Sequence, residues 1–330
     1  MHGSACRTLA NGGTAFQRRT ASRRCSRRGA VRPESSRRRL ACMAEVSARA
    51  RLLLVSCWVL IVPGACSPDR QPQPSIGFVV IGDFGTGEAA EFTVSSAIRS
   101  WVRERPLDAL VTVGDNVYPD GSPSEFDGAW ERPYGWVDDS DVAVVASLGN
   151  HDIHTDDGKP VMDLFGMPDR WYRRQVGPVD FFVLDASDLS QEGQMDWLSS
   201  ALTSSTAAWQ VLVFHQPAYS CGKYESKPGA QRHLLPAIQG KGVDLVLNGH
   251  DHNYQRFGPI DGVTYVVTGG GGASLYPVDE CGEGTPDPVA SNDDDHHFLY
   301  VTADSSSMEG TTVDAAGDVL DTFELSQATG

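Results

Sequence analysis

The chain has 330 residues, enough for one large α/β domain or two smaller ones. Its formal net charge of −16 is unevenly spread. Residues 1–66 hold 13 arginines and two acidic residues, which leaves 14 basic against 41 acidic residues, a charge of −27, for residues 67–330. Such a body repels nucleic-acid backbones and anionic membranes, which excludes nucleic acid as a partner; a site for an anionic substrate would have to supply its own local positive charge.

In chain order, residues 1–42 are rich in Arg and Ser with little apolar pattern. They read either as a disordered segment or as sequence ahead of a true start at Met43. From Met43, Arg49 and Arg51 form a basic region, Leu52–Val62 an apolar core too short to span a bilayer comfortably, and Pro63–Ser67 a small-residue cleavage point. Residues 43–66 therefore read as an export signal. Gly64-Ala65-Cys66-Ser67 also resembles a bacterial lipobox, although Pro63 fits it poorly. Plain secretion, to the periplasm or the medium, and lipid anchoring at Cys66 both stay open; that anchor is the one membrane contact expected. Residues 67–75 are a Pro-rich tether.

A single domain is expected over 76–330. Apolar or β-branched runs predict strands covered on both faces within 76–83, 108–115, 141–152, 179–187, 209–215, 243–250 and 262–270. Helical spacing predicts amphipathic helices over 89–104, with Phe92, Ala97, Ile98 and Trp101 inward, and over 192–202, with Met195, Trp197, Leu198 and Leu202 inward; 229–239 is a third. The C-terminal runs read as an antiparallel meander that turns at Ala315–Asp318. The fold class is α/β, with added antiparallel strands.

Five of the seven strands end in polar tips: "GDFG" (82–85), "GDNVY" (114–118), "GNHD" (149–152), "FHQPAYS" (214–220) and "GHDH" (249–252). One Gly-Asp tip is ordinary turn chemistry. Five tips carrying Asp, Tyr, Asn and His at the carboxyl ends of α/β strands point to a ligand site. Hard oxygens with imidazole nitrogens and no thiolate suit Fe, Mn or Zn, and there are more donors than one ion needs. Two ions sharing a carboxylate would use them all, as two-metal sites for phosphate-ester hydrolysis do.

The ordered set of motifs resembles the calcineurin-like metallophosphoesterase superfamily over roughly residues 76–325. The tyrosine of "GDNVY", with "FGMPDRWYRR" and "QMDWLSSAL", resembles the small, mammalian-type purple acid phosphatases. That resemblance implies a four-layer α-β-β-α sandwich of two mixed sheets flanked by helices, with the metal site at the carboxyl ends of the strands. It implies that Asp115 bridges two metals, that Asp83, Tyr118 and His252 bind an Fe³⁺, and that Asn150, His215 and His250 bind a divalent Fe, Zn or Mn. A metal-bound hydroxide would attack a small phosphate ester. It gives His151 phosphate contact or protonation of the leaving group, and makes His154 a candidate acid or supporting residue, against the plainer reading of a solvated loop histidine. A monomer is expected. The same site type serves phosphodiesterases acting on cyclic nucleotides or lipid head groups, and a surface lipoprotein with a vestigial site is the reading from another class. The chain departs from the family's pattern at Phe84, where small members often carry Trp, and at Leu212, where a Val usually opens the "VxxH" run.

Of the remaining residues, Asp152 is expected to orient His151. His233, His296 and His297 read as surface or packing residues, Asp293–Asp295 as a solvated loop, and Gly269–Gly272 as a turn beneath the site rather than a phosphate loop. Cys221 and Cys281, the two cysteines of the body, are either a disulfide or two buried thiols.

Overall fold

The computed structural model describes residues 75–327 except 191. The segment 1–42, the proposed signal and lipobox, and the tether up to residue 74 lie outside these residues. In chain order the elements are β1 (Ile76–Ile81), α1 (Ala89–Trp101), β2 (Ala109–Thr112), α2 (Arg132–Asp138), β3 (Ala143–Ala146), α3 (Lys159–Phe165), β4 (Tyr172–Val176), β5 (Val179–Val183) and α4 (Glu192–Ser204). There follow β6 (Trp209–Val213), α5 (Leu235–Ile238), β7 (Leu245–Asn248), β8 (Tyr254–Ile260), β9 (Val263–Thr268), β10 (Ala290–Asn292), β11 (His297–Ala303), β12 (Ser307–Asp314) and β13 (Val319–Ser326).

The strands form two mixed sheets. The six-stranded sheet runs β13-β12-β11-β1-β2-β3, and the seven-stranded sheet runs β10-β8-β9-β7-β6-β5-β4. β1, β2 and β3 are parallel, as are β5, β6, β7 and β9, so their carboxyl ends share an edge within each sheet. The closing strands β11, β12 and β13 pair antiparallel.

Three apolar clusters explain the four layers. Period-2 alternation sends Phe78, Val80 and Val111 of one sheet and Phe181, Val211 and Leu245 of the other into a common core, where Phe78 and Phe181 meet edge to face at 5.1 Å. The opposite faces of the same strands bury Phe182, Leu212 and Val246 under α4 and α5, and Val79, Ile81 and Leu110 under α1 and α2. This double coverage is why the strands read as unbroken apolar runs. The fold is the expected α-β-β-α sandwich.

The inward face of α1 differs from the expected one. Val94, Ser95 and Ile98 are buried together with the carboxylate Glu91, while Phe92 is half-buried. Glu91 accepts a 2.7 Å bond from the Gly87 amide, and burial pushes its carboxyl up to about 8. The expected helix at 229–239 is a π-turn, Ala230–Leu234, leading into the short α5.

Candidate metal centre

The sandwich brings the carboxyl ends of both parallel strand sets to one edge. Asp83 follows β1, Asp115 and Tyr118 follow β2, Asn150 follows β3, His215 follows β6, and His250 and His252 follow β7. Three of these residues, Asp83 (φ 56°), Asp115 (φ 50°) and His250 (φ 73°), hold left-handed backbone that costs a non-glycine residue about 1 kcal/mol or more. The neighbouring glycines are fixed by crowding. A Cβ on Gly149 would run into the amide and carboxylate of Asp115, and one on Gly249 into the carboxylate of Asp83.

The structure brings all seven expected ligands together, in two groups that meet at Asp115. In one, the Tyr118 hydroxyl lies 3.2 Å from Asp115 Oδ2 and 3.1 Å from His252 Nε2, and His252 Nε2 lies 3.4 Å from Asp83 Oδ1. In the other, His215 Nε2 lies 3.2 Å from Asp115 Oδ2, 3.2 Å from Asn150 Oδ1 and 3.2 Å from His250 Nδ1. Asp115, His215 and His250 each offer one donor atom within 4.8 Å of the others.

The donor set fits metal ions. His215 Nδ1 faces the Val113 carbonyl at 2.9 Å, and His252 Nδ1 faces the Ser274 carbonyl at 2.8 Å. Each of those far nitrogens donates to its carbonyl, so in the neutral ring it is Nε2 that is left to ligate, the tautomer that a metal-bound histidine needs. His215 Nε2 and His250 Nδ1 lie 3.2 Å apart beside Asp115 Oδ2, a set of donor atoms that one cation could share. The electrostatics agree. Burial works against charge on Asp115, yet His215 holds its carboxyl well below the usual range. Burial alone would strip His215, but Asp115 and Asp83 push it up to about 10. Burial, reinforced by His215, holds His250 at about 3, and burial with the two carboxylates pushes the Tyr118 phenol far above its ordinary value. Such a site is short of positive charge.

His151 borders this cluster without joining it. Its ring packs on Tyr118 with centroids 4.4 Å apart, its Nδ1 lies 2.7 Å from the Pro119 carbonyl, and its Nε2 lies 4.0 Å from Asp115 Oδ2. His154 is exposed and one ring further out, 5.7 Å from His151. Asp152 does not orient the His151 ring. Its buried carboxylate accepts from the amides of Asn116 (2.9 Å), Val117 (3.0 Å) and Gly149 (2.8 Å) and from Asn116 Nδ2 (2.7 Å), tying the β2 and β3 tips together. The Gly269–Gly272 run lies against Gly82 and Asp83, with Gly271 N to Gly82 O at 3.0 Å and Ala273 N to Asp83 O at 2.9 Å. His297 is buried beneath it, while His233 and His296 are half-buried. Asp293 is less free than a solvated loop, since it accepts from the Val278 amide at 2.8 Å.

Sequence reasoning missed the wall of the site. Cys221 and Cys281 are joined, tying the segment after β6 to the segment after β9. In "GHDHNYQ" the residues between and after the histidines anchor these two segments. Asp251 accepts from Ser220 Oγ (2.6 Å) and the Tyr224 amide (3.0 Å), Gln255 accepts from the Cys221 amide (2.7 Å), and Asn253 Nδ2 donates to the Tyr276 carbonyl (3.2 Å). Tyr276 thereby stacks on His252 (4.2 Å, 13° between planes) and Tyr224 on His250 (4.5 Å, 30°). The two cysteines were the only signal in the sequence for this closure.

Comparison with known proteins agrees with this geometry. The calcineurin-like phosphoesterase family model matches residues 76–254. The chain is similar to purple acid phosphatase 17 of Arabidopsis thaliana, 27% identical over 83% of this chain and 94% of that one, and to the tartrate-resistant acid phosphatase type 5 of Rattus norvegicus, 25% identical over 82% and 95%. Among solved structures it shares its fold with a purple acid phosphatase from yellow lupin (TM-score 0.67, 22% identity, 77% of this chain and 54% of that one). It also shares it with the GAP50 anchor of the Plasmodium inner membrane complex (TM-score 0.66, 19% identity, 76% and 89%). The chain belongs to the calcineurin-like phosphoesterase family, and with its purple acid phosphatase relatives it is a metal-dependent phosphoric ester hydrolase.

Proposed function

We propose that the protein is an exported phosphomonoesterase of the purple acid phosphatase type. In this reading Asp115 would be shared by two ions; Asp83, Tyr118 and His252 would hold an Fe³⁺ with it, and Asn150, His215 and His250 a divalent Fe, Zn or Mn. The observation that carries it is the division of the donors into two groups sharing Asp115 Oδ2. The acid phosphatase names of the relatives support the monoester side. The Cys221–Cys281 bridge supports export, because disulfides persist in oxidising compartments.

A bound ion pair supplies Lewis-acid charge on the phosphoryl oxygens and lowers the pKa of the attacking water. The chain's own residues do the rest. The Val113 and Ser274 carbonyls keep His215 and His252 in the ligating tautomer. His151, fixed by the Pro119 carbonyl at Nδ1, keeps Nε2 open beside the centre, where it can hold a phosphate oxygen or pass a proton to the leaving group. His154 supports His151 from outside rather than meeting substrate.

The test compares hydrolysis of a nitrophenyl phosphate monoester with its bis-nitrophenyl diester, on protein purified without chelator, from about pH 4 to about pH 9. Preference for the monoester on the acidic side is expected. Preference for the diester near neutrality would transfer the site to phosphodiester chemistry. Bound metal with neither ester cleaved would favour a binding role, as in a chain that keeps the fold and has left the chemistry.

A further inference from the structure

We infer that Lys223 is a specificity-determining residue that receives a second anionic group, a carboxylate or a further phosphate, carried by the leaving group of the substrate. The inference rests on the phosphatase reading above and adds the class of ester the site selects.

The Lys223 ammonium lies 4.0 Å from the ring centroid of Tyr276 and 5.0 Å from that of Tyr224. Those rings lie on His252 and His250. The cation is therefore joined to both halves of the centre through one aromatic ring each, Tyr276 to His252 and Tyr224 to His250. Among the described residues no carboxylate is within ion-pair distance of it. Two π faces orient an ammonium without cancelling its charge, unlike a carboxylate partner. Each ring is thus in contact with both a histidine of the centre and the ammonium, and Lys223 itself is exposed.

The frame that carries Lys223 is fixed. Cys221 is in the disulfide, the Tyr224 amide is bound to Asp251, and a Cβ on Gly222 would collide with the Asp251 carboxylate. A lysine on an unanchored loop would spend its charge in solvent; this one is delivered to a defined place. The acidic body sharpens the point. A charge of −27 over residues 67–330 repels doubly anionic substrates, so a preference for them needs a local cation outside the metal shell. A lysine ammonium is a point charge and takes carboxylate or phosphate oxygen alike.

The test uses ligands that cannot be hydrolysed. Binding of phenylphosphonate and 3-carboxyphenylphosphonate to the metal-loaded, full-length protein is measured by calorimetry at low salt. The wild type is expected to bind the carboxylated ligand about fivefold more tightly. Lys223→Gln should erase that preference while keeping the affinity for phenylphosphonate, and Lys223→Arg should retain it. The preference should shrink as salt rises. Equal weakening of both ligands in Lys223→Gln would assign the lysine to the reacting phosphate and overturn the inference, as would a wild type without preference. Turnover of phenyl phosphate is a separate reading. Its absence would sink the phosphatase assignment and leave the phosphonate comparison decisive for Lys223.

Discussion

The two halves of the centre are built from different sheets and different chemistry. Every oxygen donor, Asp83, Asp115, Tyr118 and Asn150, follows a strand of the six-stranded sheet. Every nitrogen donor, His215, His250 and His252, follows a strand of the seven-stranded one. The oxygen half is held through backbone, by left-handed tips at Asp83 and Asp115 and by Asp152 gathering three amides. The nitrogen half shares the left-handed tip at His250 but is held chiefly at its rings, by the backbone carbonyls facing His215 and His252 and by the rings stacked on His250 and His252. A carboxylate has no tautomer to choose and needs only placement, whereas an imidazole must be told which nitrogen to present.

The contrast can be broken at its joint. Asp115 touches both groups, so Asp115→Asn should cost about 10³-fold or more in activity. It should also lower the content of both metals, read by elemental analysis, with the circular dichroism spectrum unchanged. Loss of one metal alone would show that the halves bind separately. Next in size is the backbone clamp. Asp152→Ala leaves the amides of Asn116, Val117 and Gly149 without their acceptor and should weaken metal binding about 10–100-fold by titration against a chelator, with the histidine side intact. Removing the wall's staple with the pair Cys221→Ser and Cys281→Ser opens a loop of 60 residues. It should lower stability by up to about 4 kcal/mol in chemical denaturation. It should raise KM more than it lowers kcat, since the bridge fixes the segments that carry Tyr224 and Tyr276, whereas His250 and His252 are placed by the end of β7.

The smallest expected effect lies away from the centre. Glu91 is buried with one carboxylate oxygen unpartnered among the described residues, and burial raises it from 4.5 to about 8. Between those values the folded chain keeps a proton that the unfolded chain gives up, so stability falls as pH rises through that window. Glu91→Gln should therefore flatten the decline in Tm between about pH 5 and about pH 8 and leave Tm near pH 4 unchanged. A parallel decline in the variant would exclude Glu91 as its source.

The parallel strands and the ligand edge were legible because both lie along local runs, whereas the pairing of two sheets in a sandwich came from the family resemblance. Each ligand follows an apolar strand by a few residues, and the strands are covered on both faces. Where local pattern and tertiary context part, the reading failed. No helical periodicity would bury Glu91, and the expected inward residue Phe92 sits at the margin of the helix. β8 holds Arg256, Gly258 and Pro259, and the edge strand β4 holds Arg173, Arg174 and Gln175, so neither looked like a strand. Asp152 looked like a partner for its neighbour His151 but serves amides 35 and 36 residues away. Tyr224, Tyr276 and Lys223 sit in segments with no pattern of their own and acquire meaning only when the disulfide and Asp251 bring those segments together.

The division of donors between sheets also orders the protein's biogenesis. Asp83 and the His250 amide meet across 167 residues of chain, and Tyr118 and His252 across 134. Contacts that distant are late events in folding. A nascent chain that has not yet delivered residue 250 possesses the four oxygen donors and, of the three imidazoles, only His215. On the proposed ligand set, metal loading would belong to the end of folding, in whatever compartment the two sheets are completed.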